Sequence, residues 1–127
     1  MSTPHSDDCR FCEFANAEFA TRFGSVYYIE DGYAVTPGHL LIIPVTHRET
    51  YFDLTDEERR DTERVLRLQS DRLRANGADG FNIGWNAGEA AGQTVMHAHC
   101  HLIPRRHGDM DDPRGGVRGV IPERQKY

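Results

Sequence analysis

The chain has few cysteines, no long apolar run and no surplus of basic charge, and each shortage closes off a class of explanation. Three cysteines in 127 residues are too few for a disulfide scaffold, and one is left over if two of them pair. No apolar stretch is longer than the four residues Leu40 to Ile43, far short of the roughly 20 that a helix needs to span a bilayer. The first residues, Met-Ser-Thr-Pro-His-Ser-Asp-Asp, lack the basic and apolar regions of a secretory leader. A net charge of −5 runs against binding of nucleic-acid polymers, which takes a basic face, but leaves small phosphate ligands open. The expectation is a cytoplasmic protein with reduced thiols and neither a membrane nor a nucleic acid as partner. A hydrophobic content of 38% and a charged content of 28% suit one globular domain over residues 1–127 whose core needs no staples.

What the chain does have is histidine, seven in all, three of them in the run His97-Ala98-His99-Cys100-His101-Leu102-Ile103-Pro104. Spacing of two is the period of a β-strand, so His97, His99 and His101 are expected on one face, with Ala98, Cys100 and Leu102 packed on the other. Imidazoles fill a core poorly, because each ring nitrogen needs a partner when buried. Three readings remain open at this point. The row is the polar face of a half-buried strand, or two or three of its rings hold a metal, or one neutral imidazole attacks phosphorus while its neighbours handle protons and charge. A second feature, Cys9-Arg10-Phe11-Cys12, offers two close thiols. In a reducing compartment they suit metal better than a disulfide, although a metal site needs two further ligands.

The remaining pattern places these features. Phe11 to Phe19 reads as a short amphipathic helix ending near Arg22-Phe23-Gly24. Ser25 to Glu30 reads as a strand, Asp31-Gly32 as a hairpin turn and Tyr33 to Thr36 as its partner strand. His39 to Pro44 is an unbroken apolar run, expected to be buried on both faces. Thr55-Asp56-Glu57-Glu58 has the spacing of a capping box and opens a long helix that Gly77 ends. Its charged positions Arg60, Arg64, Arg67, Asp71 and Arg74 read as a solvated face. Gly80 to Asn86 is a further strand, joined to the histidine row by the Gly-rich stretch Ala87 to Gln93; the tail after Arg106 shows no clear pattern. Several antiparallel strands with one long and one short helix make an α+β fold. A sheet of that size with an open edge is expected to form a symmetric dimer.

These residues resemble a known family. Gly92-Gln93-Thr94-Val95 followed by His97-Ala98-His99-Cys100-His101 and Pro104-Arg105 looks like the signature of the histidine triad (HIT) superfamily. Pro37-Gly38-His39-Leu40-Leu41-Ile42-Ile43-Pro44 and Asn86-Ala87-Gly88 resemble its other motifs, and the likeness runs from about Cys9 to Arg106. The resemblance implies a five-stranded antiparallel sheet in each protomer, joined into ten strands across a homodimer. It also implies a nucleotide hydrolase acting at the α-phosphorus, on a dinucleoside polyphosphate or a nucleoside phosphoramidate, through a covalent nucleotidyl-histidine. His99 matches the nucleophile, with His101 and His39 as catalytic partners. Asp31 matches the group on the ribose, while Asn86, Gln93, Thr94 and His101 match the phosphate contacts. Similarity to the uridylyltransferase branch and to small bacterial members implies a structural zinc on Cys9, Cys12, His47 and His97. A uridylyltransferase has glutamine where this chain has His101, which weighs toward hydrolysis; nucleotidyl transfer and nucleotide-binding regulation with little turnover are the alternatives. A zinc hydrolase using bound water would need an open coordination position, and four ready ligands run against it. The run Glu89-Ala90-Ala91-Gly92-Gln93-Thr94-Val95 resembles the fragile-histidine-triad branch with one extra alanine.

Overall fold

A computed structural model describes residues 9–127. The Met1–Asp8 segment, on which the expectation of no secretory leader rested, lies outside the described residues. Among the described residues no helix is long and apolar enough to cross a membrane.

Seven main elements follow in order: α1 (Arg10–Phe14), β1 (Thr21–Phe23), β2 (Val26–Glu30), β3 (Leu40–Pro44), α2 (Asp56–Ala75), β4 (Gly80–Trp85) and β5 (Cys100–Arg105). The five strands form one antiparallel sheet in the order β1-β2-β3-β5-β4. This is the α+β arrangement expected from the sequence. β3 sits at the centre and all five of its residues are buried, as its unalternating run required. α2 covers one face: Val65 packs with Val26, Ile42 and Cys100, and Leu73 with Leu40 and Leu102. The opposite face carries Tyr27, Ile29, Leu41 and Ile43, and α1 lies on it through Phe11 and Cys12.

Local chemistry accounts for α2. Thr55 accepts from the Glu58 N–H while the Glu58 carboxylate accepts from the Thr55 N–H, the reciprocal capping box anticipated from spacing. Glu58 is also buried and takes Arg48 Nε on both oxygens, at 3.1 and 3.2 Å. At the other end the chain turns at Gly77, φ +102°. The charged face is solvated and laced by pairs such as Arg67–Glu63 and Arg74–Asp71.

The structure corrects the reading in three places. α1 stops at Phe14 rather than Phe19, because the backbone bonds contract to Asn16→Glu13 and Ala17→Phe14, turns that do not propagate a helix. The residues that follow include a strand, β1, folded against β2 through Gly24-Ser25; Gly24 has φ +57°, and the Ser25 N–H and hydroxyl both donate to Asp61 of α2 at 2.8 and 2.7 Å. The third correction concerns 31–39. Asp31-Gly32 is not a hairpin turn and Tyr33 to Thr36 is not a strand. Asp31 Oδ1 accepts the Tyr33 N–H (2.9 Å), the Asp31 N–H donates to the His39 carbonyl (3.0 Å), and the nine-residue loop so closed lets β2 pair with β3 instead. The buried β3 run is the better partner, because pairing with it covers both faces.

Candidate active site

The histidine row straddles the start of β5. Only His101 lies in the strand, paired laterally with Leu41 of β3 and Gly84 of β4; His97 and His99 stand on the extended approach to it. The alternation still holds, since Ala98, Cys100 and Leu102 are buried on the α2 side. The three imidazoles share a face, and hydrogen bonds set their tautomers: His97 and His101 carry the proton on Nε2 and His99 carries it on Nδ1.

His97 is fully buried, and its Nε2–H donates to the Pro44 carbonyl at 2.7 Å. That bond fixes the tautomer and turns the Nδ1 lone pair toward Cys9 Sγ (3.2 Å) and Cys12 Sγ (3.5 Å). His47 Nδ1 lies 3.3 Å from Cys12 Sγ. The four ligand atoms all fall within 4.8 Å of one another. Zn–S of ~2.3 Å and Zn–N of ~2.0–2.1 Å put S and N about 3.6 Å apart on a tetrahedron, close to these separations. Two features bring the set together. Cys9 caps α1 by accepting the Cys12 N–H, and the Ala98 N–H donates to the Arg48 carbonyl at 2.7 Å, tying the loop that carries His47 beside the histidine row. None of the three cysteines is in a disulfide. Burial holds the His97 pKa down at about 4, against the opposing bond to Pro44, so the ring is neutral and available as a ligand.

His99 makes the complementary choice. Its Nδ1–H donates to the His97 carbonyl at 2.8 Å, which leaves Nε2 with a free lone pair. Phe11 packs edge-on against this ring at 5.0 Å between centroids. Burial lowers the His99 pKa, the bond to His97 and the Asp31 charge oppose this, and the Arg10 guanidinium lowers it further. Sequence reasoning had assigned no part to Phe11 or Arg10 at the row.

His39 and His101 form a linked pair. The Val35 N–H donates to His39 Nδ1 at 3.0 Å, so the neutral ring keeps its proton on Nε2, 2.9 Å from His101 Nδ1 and 3.4 Å from Asp31 Oδ2. His39 donates to His101, and His101 in turn holds its own proton on Nε2. Burial, then the charges of His99 and His39, push the His101 pKa down to about 4, with Asp31 opposing. Asp31, His39 and His101 are also close enough to hold a metal. The Val35 bond argues otherwise: with Nδ1 used as an acceptor, His39 Nε2 carries a proton and has no lone pair to give. The two clusters therefore differ in kind, one ready for a cation and one bridged by protons.

Asp31, His39, Asn86 and His101 meet at a cavity of about 680 Å³, within the usual range for small-molecule sites. Gln93 and Thr94 are not in its lining. Gln93 is buried with its amide spent on the backbone: Oε1 accepts the Gly88 N–H (2.8 Å), and Nε2 donates to the carbonyls of Glu49 (2.6 Å) and Val95 (3.0 Å). In this structure its amide fixes the loop. Thr94 is exposed on the same loop. The extra alanine is taken up in one 3₁₀ turn, Glu89–Ala91, closed by Gly92 at φ +95°. Arg105 is paired with Asp109 and bonded to Asn82, while Arg106 spends one N–H on the Pro37 carbonyl and keeps its charge.

Known proteins resemble this chain in sequence and in fold. An uncharacterized HIT-like protein of Methanocaldococcus jannaschii is 36% identical over 107 residues, 80% of this chain and 81% of the relative. The AP-4-A phosphorylase of Mycobacterium tuberculosis is 35% identical over 89 residues, 66% of this chain but only 44% of that enzyme. A zinc-bound histidine triad family protein from Mycobacterium smegmatis superimposes with a TM-score of 0.72 at 34% identity, covering 80% of this chain and 78% of that one. The HIT domain family matches residues 15–108, and the chain belongs to that family.

Proposed function

We propose that the chain is a nucleotide hydrolase that cleaves a phosphoanhydride at the α-phosphorus through a nucleotidyl-His99 intermediate. The observation that carries this is the His99 tautomer. A neutral imidazole with its proton on a backbone carbonyl presents an unhindered lone pair at Nε2, and it approaches an anionic phosphoryl group without the repulsion that hydroxide meets. Nε2 forms a bond to phosphorus as the bond to the leaving oxygen breaks. Water then adds to phosphorus and the N–P bond breaks, which releases the nucleoside monophosphate and restores the imidazole. His101, donating from Nε2–H, supports charge on the leaving group or the phosphoryl oxygens, and His39 holds it in that tautomer. Asp31 is assigned to the ribose and Asn86 to the α-phosphate. The mycobacterial relative is an AP-4-A phosphorylase, which supports a substrate of that class; phosphate is the acceptor in a phosphorylase, and water in the reaction proposed here.

A structural zinc on Cys9, Cys12, His47 and His97 is part of this proposal, supported by the donor set, the His97 tautomer and the zinc-bound relative. It would close α1 onto the histidine row and supply no step of the reaction. The working unit is taken to be a homodimer.

The deciding experiment traps the intermediate. Protein quenched during turnover of an α-labelled dinucleoside polyphosphate should carry a base-stable, acid-labile adduct on His99, and His99→Ala should lose labelling with at least a ~10³-fold fall in turnover. An adduct on another residue, or near-normal turnover by His99→Ala, would reject the mechanism.

A further inference from the structure

The loop between β3 and α2 carries more than His47. Its next residue, Arg48, gives its backbone to the histidine row and its side chain to α2. The Arg48 carbonyl accepts the Ala98 N–H at 2.7 Å, and Arg48 Nε donates to both oxygens of Glu58 at 3.1 and 3.2 Å. Glu58 is 3% exposed. One of its oxygens also accepts the Thr55 N–H at 2.8 Å, so the capping box at the start of α2 fixes the carboxylate. The Ala98 N–H belongs to the same peptide unit as the His97 carbonyl, and that carbonyl accepts Nδ1–H of His99 at 2.8 Å. A trans peptide is a rigid plane whose N–H and C=O point to opposite sides of the chain. The bond to Arg48 on one side therefore aims the acceptor for His99 on the other.

We propose that Arg48 and Glu58 are positioning residues for the nucleophile: their ion pair holds the 97–98 peptide plane, and the plane holds His99 with its proton on Nδ1. The inference rests on the reaction proposed above, in which His99 Nε2 attacks phosphorus. Among the described residues the His97 carbonyl is the one hydrogen-bond partner of the His99 ring. A plane turned away from the ring lets the proton move to Nε2, the atom that must attack. Donation from the Ala98 N–H also makes the carbonyl of the same amide a stronger acceptor. Stability alone gives no reason for an ion pair at this place, because apolar side chains of similar volume commonly serve a buried position as well or better. Direction gives one. Arg48 meets a carboxylate that is itself tied to Thr55, so the start of α2 sets where the Arg48 backbone lies. Gln93 fastens the adjoining carbonyl, that of Glu49, at 2.6 Å, and the two residues together fix the loop against the row.

The test uses the full chain, purified without chelator. Glu58→Gln removes the charge but keeps an oxygen for the Thr55 N–H, and adding Arg48→Met removes the guanidinium without leaving a buried carboxylate unpaired. In this double variant, ¹⁵N spectra of the histidine rings at neutral pH should show His99 passing from the Nδ1–H tautomer to a mixture of the two, while His97 and His101 keep their protons on Nε2. Turnover of a dinucleoside polyphosphate should lose about tenfold or more in kcat with KM within about twofold. Arg48→Lys, with Glu58 intact, should bring kcat back to within about threefold of the native chain. Glu58→Gln alone should shift the His99 tautomer in the same direction to a smaller degree, and it decides the question if the double variant does not fold. If the native chain forms no His99 adduct but the tautomer shifts in these variants, the reaction is wrong and the positioning is right. A His99 ring that keeps its Nδ1–H tautomer, even beside a lowered melting temperature, would overturn the proposal and leave the pair a structural one. A double variant holding less zinc than the native chain on elemental analysis would overturn it too, because the effect would then run through His47.

Discussion

His97, His99 and His39 each take their role from one backbone atom. Pro44 accepts from His97 and frees Nδ1 for the thiols, His97 accepts from His99 and frees Nε2 for phosphorus, and Val35 donates to His39 and turns the pair His39–His101 into a proton-bridged unit. The sequence period of two shows that three rings share a face, but it cannot show these tautomers. Two of the three partner atoms come from segments 53 and 4 residues away. A consequence for pH follows from His101. Its folded pKa of about 4 lies below the unfolded value of about 6.5, so both states are neutral above pH 6.5 and the group is then silent. As pH falls from 6.5 toward 4 the unfolded chain takes up a proton that the folded chain refuses, so stability is lost over that window and levels below it. The loss is on the order of 3 kcal/mol at about 1.4 kcal/mol per unit. Chemical denaturation across pH 7 to 4 should therefore show a shallower decline for His101→Gln than for the native chain. Parallel slopes would mean that His101 is not held neutral by the fold.

At the scale of elements, legibility followed how local the determining physics is. The capping box of α2 and the unbroken run of β3 are decided within a few residues, and both appear where the sequence put them. β1 was hidden because three residues with a glycine turn give no periodicity, and its strand character comes from pairing with β2 and from Asp61 of α2 holding the turn. His47, His39 and Asn86 were legible only through the family resemblance, as was the joining of the Cys9–Cys12 pair to His47 and His97 in one ligand set, since residues 35 and 50 apart carry no spacing signal of their own. α1 tests the metal assignment. Five residues cannot sustain a helix in water; this one is held by the Cys9 cap, by Tyr27 donating to the Phe11 carbonyl, by the packing of Phe11 and Cys12, and by the two thiols that meet His97 and His47. Chelation, or Cys12→Ser, should lower the melting temperature by about 5 °C or more, a loss of at least ~1 kcal/mol. It should also loosen Phe11 from His99 and reduce turnover secondarily. Protein purified without chelator that contains no zinc on elemental analysis would remove the metal from the account.

For the whole molecule the open question is the sheet edge. β1 ends one side of the sheet with three residues, a length that gives a partner little to pair with, while β4 ends the other with six, Gly80–Trp85. An unprotected edge of that length invites a second strand. Ile83, at the middle of β4, is 49% exposed, and its side chain is apolar where a solvated edge would carry charge. Two copies related by a two-fold axis through this edge would form a ten-stranded sheet and leave His97, His99 and His101 outside the contact, because β5 is already paired on both sides, by β3 and β4. The chain should therefore scatter light as a species of about twice its 14.4 kDa at micromolar concentration. Ile83→Lys should shift it to the monomer, since a buried charge at the centre of the pairing costs several kcal/mol, while circular dichroism keeps the native content of helix and strand. The five strands, α2 and the core they share are complete within one protomer, so loss of the dimer is not loss of the fold. A native species of 14 kDa, or an Ile83→Lys variant that still dimerises, would take the β4 edge out of the assembly.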